Sequence, residues 1–129
     1  MTKWVLWGLA VYYIATGLYI AGLPLVFYEN APGVTETGPY NMHFVRDVGF
    51  AFLTSSAALT YGLYHGSKPL MVFGSLWLFV HGLFHLSLWV HHGLHFNQAT
   101  LVDQVLVTIP AIVLFVLCLR YQPEEAQGA

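Results

Sequence analysis

The chain has 129 residues, 57% of them hydrophobic, and only 8% are Asp, Glu, Lys or Arg, against about 25% in a typical soluble domain. Four basic and six acidic side chains cannot cover the surface of a water-soluble fold of this size, so composition excludes one and makes bilayer lipid the expected partner. The formal net charge of −2 without a basic run leaves no electrostatic footprint for nucleic acid, and a single cysteine, Cys118, excludes an intrachain disulfide framework.

Crossing about 30 Å of hydrocarbon takes roughly 20 apolar helical residues. Four such stretches lie between helix breakers and nearly exhaust the chain, which predicts one all-α domain over residues 1–129, an integral membrane four-helix bundle. The first covers about residues 4–28 and ends in the Gly-, Pro-, Thr- and Glu-rich segment 29–39. Its apolar run is too long for a signal peptide and no small-residue cleavage pattern follows, so it is expected to be retained. The second covers 41–65 and stops at His65, Gly66 and Ser67. Lys68 and Pro69 open the third, 69–95, with proline in the first turn where its missing N–H costs nothing. After the polar turn Asn97 to Thr100 comes the fourth, 100–121, and Pro123, Glu124 and Glu125 are expected to form a solvated tail. Pro24 and Pro110 are predicted to kink their helices, and Gly62 and Gly66 offer close helix approach.

With four crossings, Lys3, Lys68 and Arg120 fall on one side and the loops on the other side contain neither Lys nor Arg. The positive-inside rule then places both termini in the cytoplasm. Trp4, Trp7 and Tyr64 at one level, with Tyr28, Tyr40 and Trp89 at the other, suit two interfacial aromatic belts.

At about 1.5 Å per residue, the ionisable groups concentrate in the outer half. His43 lies roughly 3 Å from the outer end of the second helix and Arg46 and Asp47 roughly 8 to 9 Å in; Asp103 lies roughly 5 Å into the fourth helix, and His85 about 23 Å up the third. At 100° per residue His81, His85 and His92 share one stripe with His95 close by, and His43 and Asp47 share a face one turn apart. Such groups are costly in hydrocarbon unless they face the protein interior or water, so an outer-facing His/Asp/Arg site is expected. The spacing His81-x-x-x-His85 puts two imidazoles on adjacent turns, and imidazole is the commonest ligand of Zn, Cu and Fe. Asp47 and His43 complete the predicted transition-metal set, with Arg46, Asp103 and His92 supporting it. Arg46 is expected to bridge to Asp103, at nearly the same depth.

Two rivals accompany the metal reading, and the sequence leaves open whether the site is catalytic. A b-type haem ranks below a simple metal because His43 lies about 5 Å above His85, whereas two axial histidines need one level. A non-catalytic subunit of a larger membrane complex, or a homo-oligomer, would use the same groups to bridge helices or chains. His81-x-x-x-His85 with His91, His92 and His95 has a faint similarity to the histidine boxes of membrane di-iron desaturases and hydroxylases, whose full set of boxes is missing here. The stretch Gly38-Pro39-Tyr40-Asn41-Met42-His43-Phe44-Val45-Arg46-Asp47-Val48-Gly49, followed by His81-Gly82-Leu83-Phe84-His85, resembles a group of small bacterial four-helix membrane proteins of unknown function. The resemblance implies the fold and a multi-pass location in the bacterial inner membrane, and carries no activity or ligand.

The orientation is testable by accessibility. A membrane-impermeant thiol reagent applied to intact cells should label a Thr35→Cys variant and leave Cys118 unmodified; labelling of Ser67→Cys instead would invert the orientation.

Overall fold

The computed structural model describes residues 2–122; the segment expected to form a solvated tail, Pro123 to Glu125, lies outside them. Helices α1 (Thr2–Gly22), α2 (Pro24–Asn30), α3 (Met42–Tyr64), α4 (Lys68–His91) and α5 (Gln98–Arg120) follow one another, with one 3₁₀ turn, Val34–Thr37, before α3. Among the described residues there is no strand. Helices α1, α4 and α5 are long and apolar enough to cross a membrane. Helix α3 has 23 residues, but His43, Arg46, Asp47, Thr54, Ser55, Ser56 and Thr60 keep it outside that apolar class.

Each boundary has a local cause. Proline at position 24 cannot donate to the carbonyl a turn behind it, so the first helical stretch breaks at Leu23 and restarts as α2. Asn41 caps α3 by accepting from the amides of His43 and Phe44 at 3.1 and 3.2 Å. Helix α4 ends at His91, four residues before the boundary expected from hydropathy, because Gly93 takes a left-handed φ of 83°. The amides of Leu94 and Gly93 then reach back to the carbonyls of Trp89 and Val90 at 3.0 and 3.1 Å, a Schellman closure. Asn97 opens α5 with a capping box shared with Thr100.

Helix α3 packs against α1 and α4, and α5 packs against α4 and α1, so α3 and α5 lie diagonally across the interior. Small residues set the separations. A Cβ on Gly74 would stand 2.5 Å from the Leu59 amide nitrogen, and one on Gly82 would stand 2.8 Å from the Ala111 Cβ. The first closes the α3–α4 seam and the second brings α4 onto α5 beside the histidines. Gly62 also makes a close approach, to Met71, whereas Gly66 serves the turn with a φ of 65°.

Polarity is arranged opposite to that of a soluble helical domain. Ser56 and Ser75 are fully buried and donate to carbonyls of their own helices, Phe52 at 2.6 Å and Val72 at 2.9 Å. Phe73, Val80, Phe84, Val105 and Ile109 point outward and are exposed. An apolar exterior of this extent needs a non-aqueous or protein environment.

Helix α5 contains one wide π turn, Gln104–Thr108, just before Pro110. Proline at 110 has no N–H for the Leu106 carbonyl four residues earlier, and the Tyr12 hydroxyl donates to that carbonyl at 2.5 Å. The kink expected from Pro110 therefore takes the form of a π turn whose freed carbonyl holds α1. Tyr12→Phe should lower stability in detergent by about 1 to 3 kcal/mol, the cost of an orphaned carbonyl. In a Pro110→Ala background, where residue 110 regains its own N–H, the same change should cost much less; equal losses in both backgrounds, measured by thermal unfolding, would mean that Tyr12 acts only through packing.

Candidate functional site

The polar groups of α4 form a ladder along one face. Trp77, His81 and His85 occur at four-residue intervals, so their side chains stand above one another. The Trp77 and His81 rings stack with centroids 4.9 Å apart and planes 10° from parallel, and His81 meets His85 edge-on at 4.6 Å. Phe52 of α3 presses its ring edge-on against His81 at 5.5 Å. His81 is thus held by aromatic contacts on three sides.

The ladder ends on a carboxylate. His85 Nδ1 lies 2.6 Å from Asp103 Oδ2, across the α4–α5 seam, with side-chain exposures of 22% and 34%. An ionised carboxylate only accepts, so Nδ1 carries the proton and donates it to Asp103. That fixes the tautomer and leaves the Nε2 lone pair of His85 free to accept a proton or bind a cation. Asp103 is the last residue before the π turn, a feature common at functional sites. Gln104, the first residue of that turn, has a buried Nε2 without a hydrogen-bond partner among the described residues.

The other predicted site residues stand apart. His43 Nδ1 and Asp47 Oδ2 are 3.1 Å apart on α3, but the two side chains are 88% and 59% exposed. They form a surface pair one turn apart and do not join His81 and His85. Among the described residues, no group of three or more His, Cys, Asp or Glu side chains is placed to hold a metal ion. Arg46 is exposed and has no ion pair among the described residues, so the expected Arg46–Asp103 bridge is replaced by His85–Asp103. The diagonal placement of α3 and α5 is the physical reason, since the bridge would have to cross the interior. His92 caps α4 and His95 lies in the following loop, both exposed, so neither extends the stripe beyond His85. The His95 carbonyl instead accepts from Trp89 Nε1 and Thr100 Oγ at 2.9 and 2.8 Å, organising the loop.

Trp77 belongs to the ladder as well, and its four-residue spacing from His81 is the signal that places it there. The His85–Asp103 pair was legible in the depth estimates, which place the two within a few ångström of one level. No family model, curated protein or solved structure matches the chain.

The pair can be tested by coupling and by tautomer. In a double-mutant cycle of His85→Phe and Asp103→Leu, the two losses in stability should be less than additive by about 1 to 3 kcal/mol. Nitrogen NMR of labelled histidine should show His85 protonated at Nδ1 in the wild type and redistributed toward the other tautomer in Asp103→Leu. Additive losses with an unchanged tautomer would show that the contact does not orient the ring.

Proposed function

We propose that the chain is a four-span bacterial inner-membrane protein with cytoplasmic termini, and that its reactive group is His85, which accepts and releases a proton within the membrane under the control of Asp103. The observation that carries this reading is the 2.6 Å bond between His85 Nδ1 and Asp103 Oδ2 across two apolar helices. A carboxylate in that position orients the ring and stabilises the imidazolium formed when Nε2 takes a proton, the division of labour seen wherever a carboxylate backs a general-base histidine. Ionisable groups within membrane helices mark proton or ion pathways by default, and imidazole exchanges protons near neutrality. The four crossings rest on the length of α3 and its packing between α1 and α4, the cytoplasmic termini on Lys3, Lys68 and Arg120, and the bacterial inner membrane on the resemblance carried by Gly38 to Gly49.

A metal reading is favoured by the same bond seen from its other side. An imidazole whose Nδ1–H is held by a carboxylate is the usual arrangement of a metal-ligating histidine. Zn, Cu or Fe would then bind Nε2 of His85 with His81 one turn away, and Asp103 would act as the outer carboxylate in place of Asp47 as a ligand. The haem expectation gains nothing from this geometry, because His43 stands apart as an exposed pair with Asp47, and His81 and His85 share one face of one helix and cannot ligate opposite sides of a porphyrin.

Reconstitution decides between these. Vesicles holding the purified protein and an internal pH dye should take up protons under an imposed potassium-diffusion potential, and Asp103→Asn should slow uptake by about tenfold or more. Uptake no faster than in protein-free vesicles would overturn proton transfer. Stoichiometric metal in the purified wild type, absent from His81→Ala/His85→Ala, would establish the metal reading instead.

A further inference from the structure

A small, partly open cavity of about 30 Å³ lies where α1, α4 and the π turn of α5 meet, above the roughly 10 to 15 Å³ that one water needs. Its lining is mostly apolar, and the polar side chains that border it are those of Tyr12, Tyr13, Thr16 and His81, beside Phe52, Leu106 and Val107. Tyr13 is 2% exposed, and its hydroxyl is buried with no hydrogen-bond partner among the described residues. The hydroxyl hydrogens of its polar neighbours are engaged elsewhere. The Tyr12 hydroxyl is committed to the Leu106 carbonyl, and Thr16 Oγ donates to the Tyr12 carbonyl at 2.9 Å. What remains on the lining is the lone pairs of the Tyr12 and Thr16 hydroxyls and the ring nitrogens of His81, whose contacts among the described residues are aromatic.

We propose that this cavity is a water site, in which a single ordered water bridges the Tyr13 hydroxyl and the His81 imidazole. A buried water is stable where it finds two to four polar partners in a space of about this size, and a buried phenol left without a partner is costly. The Pro110 π turn creates the space: it widens α5 where α1 would otherwise close on α4, and the bond from Tyr12 to Leu106 walls the site from the α1 side. The water extends the polar ladder of His81, His85 and Asp103 inward to α1, with His81 meeting His85 through ring contact, so that polar groups of three helices lie along one line. The inference goes beyond proton transfer and stands on the cavity whether or not His85 moves protons.

The test uses the full chain in lipid nanodiscs. Magnetisation transfer from long-lived water should reach the Tyr13 and His81 side chains in the wild type. It should vanish in Val107→Ile, which adds one methylene to the cavity wall. Tyr13→Phe should weaken the transfer to His81 and leave the melting temperature unchanged or lower. A dry cavity gives the opposite pattern: no transfer in the wild type, and a higher melting temperature for Tyr13→Phe because an unpaired hydroxyl has been removed. Either of those results overturns the proposal, as does transfer that persists in Val107→Ile. Transfer present alongside absent proton uptake would reject the role of His85 alone.

Discussion

Proline at position 110 withholds one hydrogen bond from the Leu106 carbonyl, and much of the interior is arranged around that omission. In apolar surroundings a backbone carbonyl must find a donor, and Tyr12 provides it from another helix. The consequence is a cross-link between the first and last long helices, made at the point where α5 is widened by its π turn. Asp103 sits at the upper edge of that turn and the cavity at its flank, so a single missing N–H is felt at both ends of the polar ladder.

The ladder depends equally on how closely α4 approaches its neighbours. Gly74 lets α3 come against α4, and Gly82, next to His81, lets α5 do the same. Larger residues there would force the seams apart, and overpacking of this kind typically costs about 1 to 3 kcal/mol. The same closeness holds Phe52 on the His81 ring and Asp103 on His85. Packing and polarity are therefore not separable near the site: the small residues bring the imidazoles to their partners.

Sequence reasoning reached the helices more easily than their neighbours. Apolar length and the breakers at segment 29–39, at Gly66 and at the polar turn after Phe96 locate the long segments, because those signals act within a turn or two of the chain. The end of α4 was overshot: hydropathy continues through His92 to Phe96, while the backbone obeys Gly93. His81 and His85 were legible from a one-turn interval on a single helix. Asp103 is expected to pair with Arg46 and pairs with His85 instead, since depth is read along one helix and which helices touch is not. The separation of His43 and Asp47 from His81 has the same origin: a shared level says nothing about azimuth between helices.

The polarity of α3 has a consequence for how such a chain would enter a membrane. On a four-span reading, α3 is the segment least able to partition into lipid alone, with Arg46 and Asp47 in its first turns. It is followed by only His65, Gly66 and Ser67 before α4 begins, and the Ser67 amide closes that turn on the Gly62 carbonyl at 2.8 Å. So tight a connection joins the two helices as a hairpin, and the strongly apolar α4 can carry α3 with it during biogenesis. If α3 crosses the bilayer, insertion of the pair together, rather than one helix at a time, would let the sequence keep charged residues in a segment too polar to insert by itself.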